Sequence, residues 1–454
     1  MVAWILLSLA CRTPKPAAPP DAPNIILVSL DTVRSDHLTT YGHSRDTAPY
    51  LDSIAADGVS FTDSYAQASA TTPTHASIFT GLHPYDHEAY GYSRKLVSRH
   101  VTLAELLRDH GWRTIAATSS MKFDRGSGFS QGFEDYLLFG DGAKNRRSKK
   151  VSDGVRALLA EENERPVFAF VHYFDAHAPY AAPAPYTTLW HPGMDAPAPE
   201  DTTRFIQHNQ STPVPGPTRA YLAALYDGNI RFLDDNLRSF LDGLAIANGR
   251  STLLIITSDH GEAFGEHNYL GHSSKVYEEI VQVPLVVRWP GQIPPGRTLD
   301  RRVQSIDLLP TIGALLDIPI PEGLPGRSHA DALRGVSPTP PRVIAGVTDP
   351  VVIFNRPRNW GLIGELDGRR FKISRQTDED LRLFTLDSDP GAHRDVIAQH
   401  SREAGLLMEA AVALGVPVGK RPSQQVENLR QLSQEQVERL EAMGYIDELE
   451  QPPQ

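Results

Sequence analysis

The chain contains a single cysteine, Cys11, among 454 residues, so no disulfide can close within it. Nowhere is an apolar run long enough to cross a bilayer as a helix, and no internal repeat is visible. Positive charge is short: 44 Lys and Arg face 55 Asp and Glu, a net charge of −11. A nucleic-acid partner would require a basic face, so none is expected. An anionic substrate would have to be drawn by local cations, such as a metal, His or Lys, because the field of the whole molecule repels it. What is present is ordinary for a globular chain, with 40% hydrophobic and 22% charged residues. The length suits one large domain with a smaller one, or two of ordinary size.

The N-terminus reads "MVAWILLSLAC" and then "RTPKPAAPPDAP". The short apolar run ending in Ala10-Cys11 resembles the export signal of a bacterial lipoprotein, in which the cysteine becomes the lipidated first residue. Ser8 and Leu9 depart from the usual residues there, and no Lys or Arg precedes the run. A signal peptide cut elsewhere is the alternative. The Pro-rich stretch that follows makes a stiff tether. The expectation is an exported protein at the periplasmic face or outer membrane of a bacterium, touching membrane only through a lipid anchor at Cys11.

Three apolar runs share one design. "NIILVSLD" ends at Asp31, "PVFAFVHYFDAH" at Asp175 and His177, and "STLLIITSDHG" at Asp259-His260. None alternates with polar residues, which is how strands buried on both faces of a parallel sheet read. "RTIAATSS" and "VPLVVRWPG" are further strands. Helical patterns lie between them in "APYLDSIAADGV", "VTLAELLRDHGW", "SDGVRALLAEEN" and "IRFLDDNLRSFLDGLAIANG". The alternation predicts an α/β fold: a doubly wound, mostly parallel sheet with helices on both faces. In such sheets ligands bind beyond the carboxyl ends of the strands, where these acids and histidines fall. After "GVSPTPPR", "GLIGELDGRRFKISR" and "LRLFTLD" predict a small antiparallel α+β subdomain, with a helix at "HSREAGLLMEAAVALG". The expected divisions are 1–23 (signal and tether), 24–340 (main domain), 341–415 (subdomain) and 416–454 (a polar tail with the helix "SQEQVERLEAMGY").

"SATTPTHASIFTG", residues 69–81, reads as the start of a helix built to hold an anion. Pro73 suits a first turn, Thr71 and Thr72 are candidate caps, and Gly81 ends the run. A hydroxyl at this place faces the helix's unpaired amides and positive end, which stabilise an alkoxide or an anion. A capping threonine is the plain alternative. Asp31 and Asp259-His260 at the ends of buried strands are harder to explain structurally, because an unpaired buried carboxylate is costly.

The segments "NIILVSLDTVRSDHLTTYG", "TTPTHASIFTG", "FDAHAPY", "TSDHGEAFGEH" and "YEEIVQVPLVVRWPG" occur in the order of the sulfatase family, of the alkaline phosphatase superfamily. The resemblance continues through "VQSIDLLPTIGALLDI" and "LFTLDSDPGAHRD" and covers the chain from Asn24 to about residue 400. It implies an alkaline-phosphatase-like fold, with Asp31, Asp259 and His260 as metal ligands. Thr71 takes the nucleophile position and also touches the metal. The resemblance places His177 in a substrate-binding turn, fit to protonate the leaving group. His272 and Lys275 fall in the loop that brings a cation to the bound oxyanion, and His75 takes the place of a substrate-binding Arg. Capping or packing for His177, and ordinary surface positions for His272 and Lys275, are the alternatives. His83, His87 and His267 are unassigned.

The family's usual members convert a Cys or Ser to formylglycine. Thr71 carries a Cβ methyl and cannot be so converted, so no formylglycine is expected. Asp31-Thr32 stands where the family has paired Asp, and Asp259-His260 where it has Asp-Asn. The family's Lys and His after the next strand are not evident, though Lys122 lies close. Trading a carboxylate for an imidazole favours manganese or zinc over calcium. The expected activity is metal-dependent cleavage of sulfate or phosphate esters by direct attack of Thr71, with Thr72 as the alternative nucleophile. Transfer of a phospho-group between envelope lipids or glycans, and non-catalytic binding on the same fold, are the rival readings. The substrate is a small-molecule, glycan or lipid ester, with one wall of its site expected from the insert around 180–220.

Overall fold

The computed structural model describes residues 17–418 except 91–93, 141–147, 162, 191–197, 245, 247, 337–339, 357–358 and 378–379. The export segment through Cys11 and the expected tail helix at 433–445 lie outside the described residues. The strands before residue 305 are β1 (Asn24–Leu30), β2 (Val59–Tyr65), β3 (Arg113–Thr118), β4 (Asp135–Leu138), β5 (Val167–Tyr173), β6 (Thr252–Thr257), β7 (Ala263–Phe264), β8 (Leu270–Gly271), β9 (Leu285–Arg288) and β10 (Arg297–Gln304). Eight of them form one sheet in the order β10-β2-β9-β6-β1-β5-β3-β4. Pairing is parallel except around β9, which runs antiparallel to β2 and β6. β7 and β8 make a separate small ribbon.

The sheet is wound on both faces, and β1 shows why its sequence lacks polar alternation. Ile26, Val28 and Leu30 face one core with Leu225, Leu233 and Leu237 of the helix Gly216–Asp242. Ile25 and Leu27 face the other, with Phe79 of the helix Thr71–Thr80 and Leu103 and Leu107 of the helix Leu103–Asp109. Every residue of β1 and β5 is buried. β1 is central, with Leu30 level with Tyr173 of β5 and Ser29 level with Thr257 of β6. The loops that leave β1, β5 and β6 therefore emerge side by side.

A second sheet follows: β11 (Val343–Ile344), β12 (Val347–Arg356), β13 (Asn359–Leu366), β14 (Arg369–Arg375) and β15 (Leu381–Thr385), antiparallel in chain order. The helix Ser401–Ala413 covers one face through Leu407, Ala410 and Ala411. The other face meets the main body, where Val351, Ile353 and Ile363 pack with Tyr65, Ala263, Val276 and Ile280. A buried ion pair, Lys372 Nζ to Glu278 Oε1 at 2.5 Å, crosses the same seam.

Candidate active site

After β1 the backbone turns at Thr32, whose φ of +63° is rarely adopted by a β-branched residue. Three hydrogen bonds hold it there. Tyr226 Oη donates to Thr32 O (2.6 Å) and accepts from the Arg34 amide (2.9 Å), while the Thr32 amide donates to Asp259 Oδ1 (3.2 Å). The turn thus ties the end of β1 to the loop after β6, and strain of this kind is typical of functional sites. Asp31, Asp259 and His260 each bring a ligand atom within 4.8 Å of the others, all three fully buried.

The electrostatics of this trio fit a cation. Burial and the neighbouring Asp31 carboxylate push the Asp259 carboxyl up to about 6. Asp259 Oδ2 has no hydrogen-bond partner among the described residues; His260 Nε2 lies at 3.4 Å and His75 Nδ1 at 3.6 Å. His260 Nδ1 lies 2.9 Å from the Gly261 carbonyl, which can only accept, so Nδ1 carries the proton and Nε2 presents its lone pair. Burial and His272 lower His260 to about 4, so its ring is neutral at pH 7, as a ligand must be. Two carboxylates and one neutral imidazole are a donor set for a borderline divalent ion.

Thr71 joins the trio from the helix Thr71–Thr80, with Oγ1 3.5 Å from His260 Nε2. The cap expected at Thr71 or Thr72 is displaced by one residue. Ala70 is the N-cap and offers no side-chain bond, so Thr71 is the first helical residue and its hydroxyl is not consumed in capping. Helical bonding begins with the Thr74 amide on Ala70 O (3.2 Å), and the amides of Thr71 and Thr72 precede it. Gly81 closes the helix in the left-handed conformation at φ +68°.

His75, for which the resemblance implies substrate binding, stands one turn into this helix and is fully buried, with both ring nitrogens bonded to protein. Its Nδ1 donates to Thr71 O (2.8 Å), so Nε2 accepts from Ser29 Oγ (2.8 Å). The side chain therefore anchors the turn at Thr71 to β1. Sequence reading missed His172. It lies inside β5, level with Ser29, and its Nε2 is 3.1 Å from Asp31 Oδ2. A histidine within a run of Val, Phe and Tyr was the available signal.

The opposite wall carries His177 and His272. His177 stacks on Phe174 (centroids 4.2 Å, 21°), and its Nδ1 donates to Ala178 O (2.7 Å). His272 follows β8, with its ring 4.4 Å from that of His260 and 5.0 Å from that of His177. Its Nδ1 is 3.1 Å from Glu262 Oε1. Burial opposes the charged ring, but the Glu262 carboxylate outweighs it and raises His272 above the usual range. Lys275 is only half-buried and is turned to the second sheet's side, with Nζ 3.4 Å from Gln376 O. The insert contributes the helix Thr202–His208, which packs on β8, and Gln210 O accepts from the Leu270 amide. Lys122 follows β3 in the turn Met121–Phe123, where Phe123 lies against the rings of His75 and His172. His87 is bonded to Ser77 behind the helix, His83 stacks on Tyr85, and His267 is held between Tyr277 and His393, so none of the three joins the trio.

The sulfatase family profile matches residues 23–318. The chain belongs to the sulfatase family. As a sulfatase-family member it is a hydrolase of sulfuric or phosphoric esters with an alkaline-phosphatase-like fold. It is 26% identical over 354 residues to the uncharacterized sulfatase YidJ of Escherichia coli strain K12, covering 67% of this chain and 70% of that one. Its fold is similar to the phosphonate monoester hydrolase of Agrobacterium radiobacter (TM-score 0.69, 20% identity, 87% and 95% of the two chains). It is equally similar to BT4656 in complex with its substrate D-glucosamine-2-N,6-O-disulfate (TM-score 0.70, 16% identity, 89% and 99%).

Proposed function

We propose that this sulfatase-family protein cleaves sulfate or phosphate esters by direct attack of Thr71, without formylglycine, at a centre that takes a divalent metal ion. The observation that carries this reading is Thr71 Oγ1 beside the lone pair of His260 Nε2, at the start of a helix where capping makes no use of the hydroxyl. Asp31, Asp259 and His260 would hold the ion, with Thr71 beside it. When bound, the ion would polarise the ester, lower the pKa of a coordinated hydroxyl and offset the anion's charge, with manganese or zinc preferred for this donor set.

The chain's own residues supply the rest. Thr71 Oγ1, its hydroxyl proton released to water, forms a bond to the sulfur or phosphorus as the bond from that atom to the ester's alcohol breaks. The amides of Thr71 and Thr72 and the helix dipole stabilise the anion. His272, whose charged form Glu262 favours, faces the developing negative charge. His177, with Nδ1 fixed on Ala178 O, uses Nε2 to give a proton to the leaving oxygen. Water then cleaves the threonine ester and regenerates Thr71. Export with a lipid anchor at Cys11 belongs to the same proposal and rests on the N-terminal sequence alone; Cys11→Ala would abolish labelling by a fatty-acid analogue.

The test is to strip the full chain of metal, restore manganese, zinc or calcium singly, and compare initial rates on an aryl sulfate and an aryl phosphodiester. Turnover restored by manganese or zinc and abolished by Thr71→Ala supports the proposal. Turnover that survives Thr71→Ala, or that calcium alone restores, contradicts it. A glycan sulfate joins the substrate panel because BT4656 has a sulfated glucosamine as its substrate.

A further inference from the structure

The chemistry above does not use His172, whose surroundings give little reason for a histidine. The ring is fully buried among Phe123 (centroids 4.7 Å), Phe174 (6.2 Å), Phe170 (6.5 Å) and His75 (5.3 Å). Such a lining suits Leu or Phe, because burying an imidazole costs desolvation even when it is neutral. Nε2 lies 3.1 Å from Asp31 Oδ2, and since an ionised carboxylate oxygen only accepts, Nε2 is the protonated nitrogen. Nδ1 is then an acceptor to which no described protein group donates. What the side chain gains for its burial is the contact with Asp31.

We infer that His172 is a positioning residue for the metal centre: its Nε2–H holds Asp31 Oδ2 and fixes the rotation of that carboxylate, so that Asp31 meets Asp259 and His260 already oriented for a divalent ion. The inference rests on the metal reading above. A protein group that orients a ligand lowers the cost of ordering it when the ion arrives. His172 also lies within ligand distance of Asp259 and His75. That trio is a poor second ion site, however, because both nitrogens of His75 are committed, Nδ1 to Thr71 O and Nε2 to Ser29 Oγ. Positioning, with no second ion, is the role the contacts support.

The test measures metal affinity directly, by titrating the metal-stripped full chain with manganese and with zinc in competition with a chromophoric chelator. His172→Leu removes the donor, and His172→Asn leaves an amide too short to reach Asp31. His172→Gln places an amide N–H near the position of Nε2. Leu and Asn are expected to weaken binding about 10- to 100-fold, with Gln staying within about threefold of the parent. Thermal unfolding reports whether each variant is folded, and Asn stands in if Leu does not fold. Unchanged affinity in the Leu or Asn variant overturns the inference and leaves the metal reading intact. A Gln variant as weak as Leu also overturns it, by making His172 a ligand. If the parent binds neither ion while Asp31→Asn behaves identically, the metal reading itself fails and the inference with it.

Discussion

At the scale of single residues, the proposed chemistry depends on the hydroxyl of Thr71, which stands just inside the N-cap Ala70 and is not used in capping. Thr71→Ala is expected to lower turnover at least about a thousandfold, because it removes the hydroxyl proposed to form the covalent ester. Thr71→Ser keeps the hydroxyl and should retain most of the rate; initial-rate assays on the metal-loaded protein check both. A second residue-scale prediction concerns stability. Asp227 is buried on the helix Gly216–Asp242 and accepts from His37 (2.5 Å), His43 (3.2 Å) and Arg45 (2.7 Å). Burial alone would raise its carboxyl, but these hydrogen bonds and charges win and hold it well below the carboxylate range. A depressed acid stabilises the fold above its unfolded pKa of about 3.9 and loses that stabilisation as pH falls toward the folded value. Asp227→Asn should therefore lower Tm at pH 7, and the gap to the parent should close progressively below about pH 4. A gap that is the same at pH 3 and pH 7 would contradict this. That Asp31, Thr71, Asp259 and His260 would lie together was legible because each stands where an apolar run ends or a helix pattern begins. His172 was not, because nothing about a histidine in mid-strand says which carboxylate lies across the sheet.

At the scale of elements, the helix Thr71–Thr80 is placed by β1 through His75. His75→Leu keeps the volume but releases the Thr71 carbonyl and Ser29. A misplacement of about 1 Å at the reacting atom is worth roughly a hundredfold in rate. The expected outcome is thus a fall of that order in kcat with a smaller change in KM, measured by steady-state kinetics on the aryl ester. Central strands were readable because burial on both faces leaves an unbroken apolar run. β10 was not, since "RTLDRRVQ" lies at the sheet edge with only Val303 and Gln304 buried. The helix expected from Ile230 begins instead at Gly216. From Ala224 to Ile230 every residue is buried, so no polar stripe marks the period there. β12 was hidden by Pro350, near which its register with β13 shifts.

At the scale of the molecule, the charge of −11 opposes the anionic substrates that the site is built to hold. Screening this field should raise kcat/KM for an anionic ester a fewfold as ionic strength goes from about 10 mM to about 150 mM. A fall would mean that local positive charge at the site already dominates the approach. The second, antiparallel sheet was legible in outline from the Pro-rich break near residues 335–342 and the hairpin patterns after it. The seam between the sheets was not, because Lys372, Glu278, Val276 and Ile353 are far apart in sequence and only folding brings them together.

The central claim is that Thr71 itself is esterified during turnover. Rapid acid quenching of the metal-loaded protein with an aryl phosphate or aryl sulfate, then mass analysis of the peptide spanning residues 69–81, tests it most directly. A sulfuryl or phosphoryl group is expected on Thr71, absent from the Thr71→Ala protein and lost as substrate is exhausted. Steady turnover with the group on Thr72, or on no residue at all, would contradict it.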